Sequence, residues 1–303
     1  MIEHSNKHHR KMKIRMYDKV IQILSRTGLG RYSFAHSISE YLRSLLRPQY
    51  VEIDGNKIFL DKEDTLGLSR NEVWEEFETE FVKKIIKEGD VVLDIGANIG
   101  YYTLIFAKLV GDNGRVFAFE PEPENFAILK KNVEANGYKN VVLIQKGLSD
   151  ETGQVKLYLA EKNKGDHRIF DSGDGRRAVE IHVSRLDDYF RDSYDKINFI
   201  KMDVQGTEYK VIKGMTLLLQ KLTNLIIMME FEPSLIKKSG AQPDASLKLV
   251  VENGFKLFNL NGKENKIEEA DPAKLLSLYS HENSGYTNLL CVKGNLPQYT
   301  NSS

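Results

Sequence analysis

Six carboxylates and a run of small residues mark where this 303-residue chain is equipped for chemistry. The run lies in VVLDIGANIGYYT, residues 91–103. An apolar stretch there reaches Asp94, and Gly96, Ala97, Asn98 and Gly100 lead into helical spacing that opens with Tyr101 and Tyr102. Small residues let a ligand approach the backbone, and a helix starting just beyond offers unpaired N–H groups. The next apolar stretch, FAFEP, ends in Glu120 and Pro121, twenty residues after Gly100. In doubly wound folds an acid at that point accepts hydrogen bonds from ribose hydroxyls. Two further apolar stretches end in acids: FIKMDVQGTE places Asp203 and Glu208, and LIIMMEFEP places Glu230 and Glu232.

Two cofactor classes share a glycine turn followed by an acid. A dinucleotide site shows G-x-G-x-x-G around a pyrophosphate. This turn reads Gly96-Ala97-Asn98-Ile99-Gly100, without the middle glycine, and is preceded by anionic Asp94. A carboxylate repels a pyrophosphate and attracts a ligand carrying an ammonium and a sulfonium. The residues therefore favour S-adenosylmethionine over a nicotinamide dinucleotide.

These residues need elements to position them. Short apolar runs at 91–95, 115–120, 141–146, 198–203, 225–231, 255–260 and 287–293 predict strands, and helices are expected near 99–110, 122–136, 207–220 and 244–253. Alternation of this kind implies right-handed βαβ units and a mostly parallel sheet. QVKLYLA (154–160) and RAVEIHVS (177–184) predict an inserted antiparallel pair, with 161–176 as a flexible polar tip and with His167 and His182 pointing to solvent. Upstream, Asp54-Gly55 between alternating runs predicts a hairpin over 50–61. Ser69 and Glu72 fit a capping box ahead of an apolar face formed by Trp74, Phe77, Phe81 and Ile85.

Composition narrows the class. At 41% apolar and 28% charged the chain is of ordinary globular composition. It lacks the apolar span of a transmembrane helix and the h-region of a secretory signal. One cysteine, Cys291, allows no internal disulfide, so a cytoplasmic setting is expected. Forty-three basic residues balance 43 acidic ones, but residues 1–47 hold ten basic and three acidic residues. Such a basic arm, with helical spacing over 13–29, suggests contact with an anionic acceptor or the inner membrane surface, or else a solvated extension.

VLDIGANIGYYT, FAFEPEPENFAILKKN and FIKMDVQGTEYKVIKG together resemble the FkbM family of S-adenosylmethionine-dependent methyltransferases, from about Trp74 to Gly294. The resemblance implies a class I methyltransferase fold: a Rossmann-like, doubly wound, seven-stranded, mostly parallel α/β sheet whose last strand is antiparallel. Here that core would carry a β-hairpin insertion at 154–184. The implied organisation is a basic helical extension with a hairpin (1–70), a catalytic domain (71–295) and a tail (296–303). The resemblance also implies methyl transfer to a hydroxyl of a sugar, glycan or natural product, with a small-molecule or glycan acceptor. By motif, Asp94, Gly96, Ala97, Asn98, Gly100 and Tyr101 would hold the methionine and backbone side of S-adenosylmethionine, Glu120 and Pro121 the ribose, and Gly147, Leu148 and Ser149 the adenine. Trp74 and Glu75 resemble an aromatic-acid pair that would close the site.

Asp203 would face the methyl group and the acceptor. It is the first candidate for a base, followed by Glu232 and Glu208. Glu208 equally suits a helix N-terminus. The resembling families carry Glu where Gln205 stands, which takes a charge from that position. A magnesium ion at Asp203 is conceivable chemically, but the ligand spacing does not support it and no metal is expected. The alternatives are a nicotinamide oxidoreductase and a non-catalytic S-adenosylmethionine-binding module. No specific nucleic acid is expected, because the Asp/Asn-Pro-Pro-aromatic run of amino-methylating enzymes is absent after Asp203.

Overall fold

The computed structural model describes residues 48–71, 73–191, 196–279 and 285–295. The basic arm, Glu72, His4, His8, His9 and the tail lie outside them. The chain divides into two compact units, 1–74 and 75–303.

In the first unit β1 (Tyr50–Ile53) and β2 (Asn56–Phe59) pair antiparallel, as the Asp-Gly signal predicts. Asp54 and Gly55 both take positive φ (51° and 80°), which suits the twist of a two-residue hairpin turn. Ser69 does not cap a helix. Its backbone N–H donates to Asp64 Oδ2 (3.1 Å).

The second unit opens with α1 (Glu76–Ile85), so the helix begins later than the Ser69 box suggested and Trp74 precedes it. Alternating strands and helices follow: β3 (Val91–Ile95), α2 (Tyr101–Val110), β4 (Arg115–Phe119), α3 (Pro123–Ala135) and β5 (Val141–Ile144). Then come β6 (Gly147–Leu148), β7 (Gly153–Tyr158), β8 (Ala178–Ser184), α4 (Leu186–Tyr189) and β9 (Phe199–Met202). The expected helix over 207–220 is two, α5 (Glu208–Lys213) and α6 (Thr216–Lys221). The break falls at Gly214, where a Cβ would lie 2.0 Å from the Ser149 carbonyl oxygen. Asp187 caps the second piece, accepting from Leu217 N (3.2 Å) and Leu218 N (2.9 Å). The remaining elements are β10 (Leu225–Phe231), α7 (Pro233–Lys238), α8 (Pro243–Glu252), β11 (Lys256–Asn261), β12 (Lys266–Glu269), α9 (Pro272–Leu278) and β13 (Thr287–Lys293).

The large sheet has the order β12-β11-β13-β10-β9-β3-β4-β5. Strands β5, β4, β3, β9 and β10 run parallel, and β13 is antiparallel to both β10 and β11. The sequence implied seven strands. The eighth, β12, is an edge hairpin on β11. Setting β12 aside, this is the Rossmann-like order of a class I methyltransferase. The central strands are buried nearly throughout, with Val92, Leu93, Ile200, Ile227 and Phe231 all sealed, because helices cover both faces. Sheet order reverses between β3 and β9, so a crevice opens at their carboxyl ends.

The insertion is a separate three-stranded sheet, β6-β8-β7. Its tip is folded rather than loose. Asp166 pairs with Arg168 (2.7 Å) and Arg176 (2.8 Å), and Arg168 bridges back to Tyr158. His182 is exposed as expected. His167 is turned inward: its Nδ1 accepts from Ala160 N (3.0 Å), and its Nε2 is buried without a partner. Burial and the nearby Lys164 charge push this imidazole down to about 4.

Candidate active site

The glycine turn is fixed by backbone bonds before any side chain contributes. Gly96 N and Ala97 N both donate to Phe119 O (3.0 and 2.9 Å), which pins the turn to the end of β4. Gly96 has φ 79°, and a Cβ there would stand 1.9 Å from Asp203 O, so only glycine lets the turn touch the end of β9. Asn98 takes φ 51° and Gly100 φ 92°. The strained Asn98 is held on one side by its own Oδ1, which accepts from Ile99 N (2.7 Å), and on the other by Glu120.

Glu120 accepts from Asn98 N through Oε2 and from Glu122 N through Oε1, both at 2.8 Å. It is 5% exposed, and burial pushes its carboxyl up to about 8. Pro121 follows, half-buried, and a Cβ on Gly147 would lie 3.7 Å from the Pro121 ring. Gly147 is therefore beside the Glu120 edge, while Leu148 and Ser149 are buried behind it. Asn125, at the start of α3, donates to Lys164 O of the insertion (3.0 Å), bringing the tip to the same edge.

Asp94 is deeply enclosed at the end of β3. It is 1% exposed, accepts from Thr103 Oγ1 (2.5 Å) and lies opposite Lys201 in the β3–β9 register. Burial raises its pKa, with Lys201 and Thr103 opposing the rise.

Lys201 is the residue at this edge that sequence reading missed. It is buried inside FIKMD, two residues before Asp203 and on the same sheet face. Its Nζ lies 3.5 Å from Asp203 Oδ2 and 4.7 Å from the centre of the Tyr102 ring. Burial would lower its pKa, but Asp203, Glu75, Asp94 and Glu230 outweigh it and hold the ammonium charged. A lysine in an otherwise apolar buried strand was the available signal. Tyr102 also donates to Glu75 Oε2 (2.9 Å), and Glu75 sits at φ 47° ahead of α1. Tyr101 faces α1, its hydroxyl 3.3 Å from Thr79 Oγ1.

Asp203, half-buried, receives two donors: Lys201 at Oδ2 and Gln205 Nε2 at Oδ1 (2.7 Å). Glu230 reaches the same amide (3.0 Å), and burial together with the Asp203 charge raises its pKa well above the usual carboxylate range. Glu208 is 1% exposed; Oε1 accepts from Gly206 N (3.2 Å), Oε2 has no partner, and burial pushes it up to about 7. Glu232 stays half-buried and accepts from Ser234 Oγ (2.6 Å). Gly96, Asn98, Pro121, Gly147, Asp203 and Glu232 are each half-buried and follow the carboxyl ends of β3, β4, β5, β9 and β10. No three-carboxylate or histidine cluster suited to a metal occurs among the described residues.

Residues 94–257, more than half the chain, match the family model of the methyltransferase FkbM domain. The chain belongs to the FkbM methyltransferase family. It is 32% identical over 144 residues to the hexuronic acid methyltransferase AglP of Haloferax volcanii, covering 46% of this chain and 56% of AglP. It is 28% identical over 177 residues to methyltransferase sdnD of Sordaria araneosa, covering 48% of this chain and 68% of sdnD. The alignments thus span between 56% and 68% of these relatives' lengths. A putative methyltransferase from Streptococcus mutans, solved in complex with SAH, superposes with a TM-score of 0.43 at 12% identity, over 72% of this chain and 96% of that one. The family assignment replaces the oxidoreductase alternative, and S-adenosylmethionine is the cofactor. The residues fit it: each oxygen of buried Glu120 holds a single backbone donor, with lone pairs to spare for ribose hydroxyls.

Proposed function

We propose that this FkbM-family chain catalyses O-methylation of a hydroxyl on a sugar, glycan or natural product. The observation that carries the reading is Asp203, a carboxylate gripped at both oxygens yet half open at the switch point, against which the glycine turn packs. S-adenosylmethionine, when bound, supplies an electrophilic methyl carbon. Gly96, Ala97, Asn98 and Gly100 would hold its amino-acid side, Glu120 and Pro121 its ribose, and Gly147, Leu148 and Ser149 its adenine. Asp94, with Thr103 and Lys201, would hold the turn rather than the ligand. Tyr101 would act through its packing against α1.

Asp203 would orient the acceptor hydroxyl and take its proton at a carboxylate oxygen. Alignment of the acceptor is worth roughly 7–11 kcal/mol in reactions of this kind, and a placed base adds about 10²–10⁴-fold. Glu232, open on the same edge, is the next candidate to contact the acceptor, whereas Glu208 is enclosed. AglP, named for a hexuronic acid, and sdnD support a sugar or natural-product acceptor. A labelled-methyl screen over sugars, glycolipids and polyketide alcohols tests the reading. Label should enter a hydroxyl, and Asp203→Asn should reduce turnover at least a hundredfold while retaining S-adenosylhomocysteine binding. Transfer to nitrogen only, or undiminished turnover in Asp203→Asn, would overturn it.

A further inference from the structure

Gln205 occupies a backbone conformation that a side chain of its kind rarely adopts, at φ 53°. The loop is held there from the next residue. Gly206, at φ 92°, packs so closely on α7 that a Cβ would meet Leu235 Cγ at 2.8 Å and Leu235 O at 2.9 Å. The result aims one amide nitrogen at two carboxylates from different strands: 2.7 Å to Asp203 Oδ1 and 3.0 Å to Glu230 Oε2. In this orientation the amide NH2 serves both carboxyl groups at once. Two carboxyl groups that meet at one point ordinarily do so over a shared proton or a bound cation; here both meet at the Gln205 amide. Lys201 answers only one of them directly, through the other oxygen of Asp203.

We propose that Gln205 is a positioning residue of the methyl-transfer site: its amide is a neutral bridge that holds Asp203 and Glu230 together, in the place a divalent cation would otherwise take. The proposal rests on Asp203 facing the acceptor, as argued above. Strain at a non-glycine residue beside a half-open carboxylate is what a positioning role requires. A residue there for fold alone would be better served by glycine, which takes positive φ freely.

The test uses the full chain and two variants. Gln205→Gly keeps the backbone conformation and removes the bridge; Gln205→Glu keeps the shape and replaces the amide with a third carboxylate. Both should bind S-adenosylhomocysteine within about threefold of the parent by calorimetry, which shows that the fold and cofactor side are intact. Mn²⁺ followed by electron paramagnetic resonance should bind Gln205→Glu and neither the parent nor Gln205→Gly, and a further Asp203→Asn change should abolish that binding. With the acceptor from the hydroxyl screen, Gln205→Gly should lower kcat at least tenfold with KM for S-adenosylmethionine unchanged. Absence of Mn²⁺ binding to Gln205→Glu would overturn the reading of the amide as standing in a cation's place, whatever the acceptor. Unchanged kcat in Gln205→Gly, alongside a crippled Asp203→Asn, would overturn the positioning role alone. Unchanged turnover in Asp203→Asn would instead remove the acceptor-side reading.

Discussion

Positive φ at Glu75, Asn98 and Gln205 marks backbone strain beside carboxylates: Asn98 N donates to Glu120, the Gln205 amide donates to Asp203, and the Glu75 carboxylate accepts from Tyr102. The glycine at 96 is the least replaceable of the group. Gly96→Ala adds a Cβ within 1.9 Å of the Asp203 carbonyl at a φ of 79°, so the turn and the end of β9 must separate. We expect a loss of at least about 3 kcal/mol in urea unfolding and no measurable S-adenosylhomocysteine binding. Glu120 makes a pH prediction. Its pKa rises from an unfolded value of 4.5 to about 8, so the folded state binds more protons than the unfolded state between those values. Its contribution to stability is full below about 4.5 and is lost as pH rises through 8, by an amount on the order of a few kcal/mol. Denaturation of the ligand-free protein between pH 5 and 8.5 should show this fall, and Glu120→Gln should flatten it.

Elements explain what could be read in advance and what could not. The Asp94–Gly100 turn and Glu120 were legible because small residues and a strand-ending acid carry their geometry in their types. The five parallel strands were legible because burial on both faces makes apolar runs of them. Three features were not. Gly214 splits a continuous helical pattern only because Ser149 O lies where its Cβ would be, a contact no local pattern records. Lys201 and Asp94 stand opposite each other in neighbouring strands, which requires knowing that β9 lies beside β3. The insertion tip has the polar composition of a loose loop, yet Asp166, Arg168 and Arg176 bind it into one network. His167 makes that network testable. Its pKa falls from 6.5 to about 4 in the fold, so the tip is fully stable above about 6.5 and loses that support as pH falls through 4. Hydrogen exchange of peptides 158–177, referenced to β9 peptides, should rise on going from pH 7 to 4. In His167→Gln the pH dependence should vanish.

For the molecule as a whole, charge is distributed against function. Residues 1–47 carry seven more basic than acidic residues, so the other 256 carry seven more acidic than basic ones, and the site edge itself is rich in carboxylates. We expect the full chain to sediment with anionic vesicles at low salt and to release them near 0.5 M salt, as a roughly 4 Å Debye length implies. Removal of residues 1–47 should abolish sedimentation without changing S-adenosylhomocysteine affinity; equal sedimentation after removal would assign the arm to solvent. The sheet order carries a consequence for how the protein is made. β13 lies between β10 and β11 and hydrogen-bonds to both, yet it is the last strand of the described chain to leave the ribosome. Until it arrives, the apolar Leu225–Phe231 edge and the β11 edge both stand open, each a template for pairing with a neighbouring chain. Synthesis therefore passes through a period in which the cofactor half is already encoded but the sheet is split in two. A chain truncated ahead of Thr287 is expected to aggregate rather than fold to a weakened enzyme, which light scattering of the truncated chain checks.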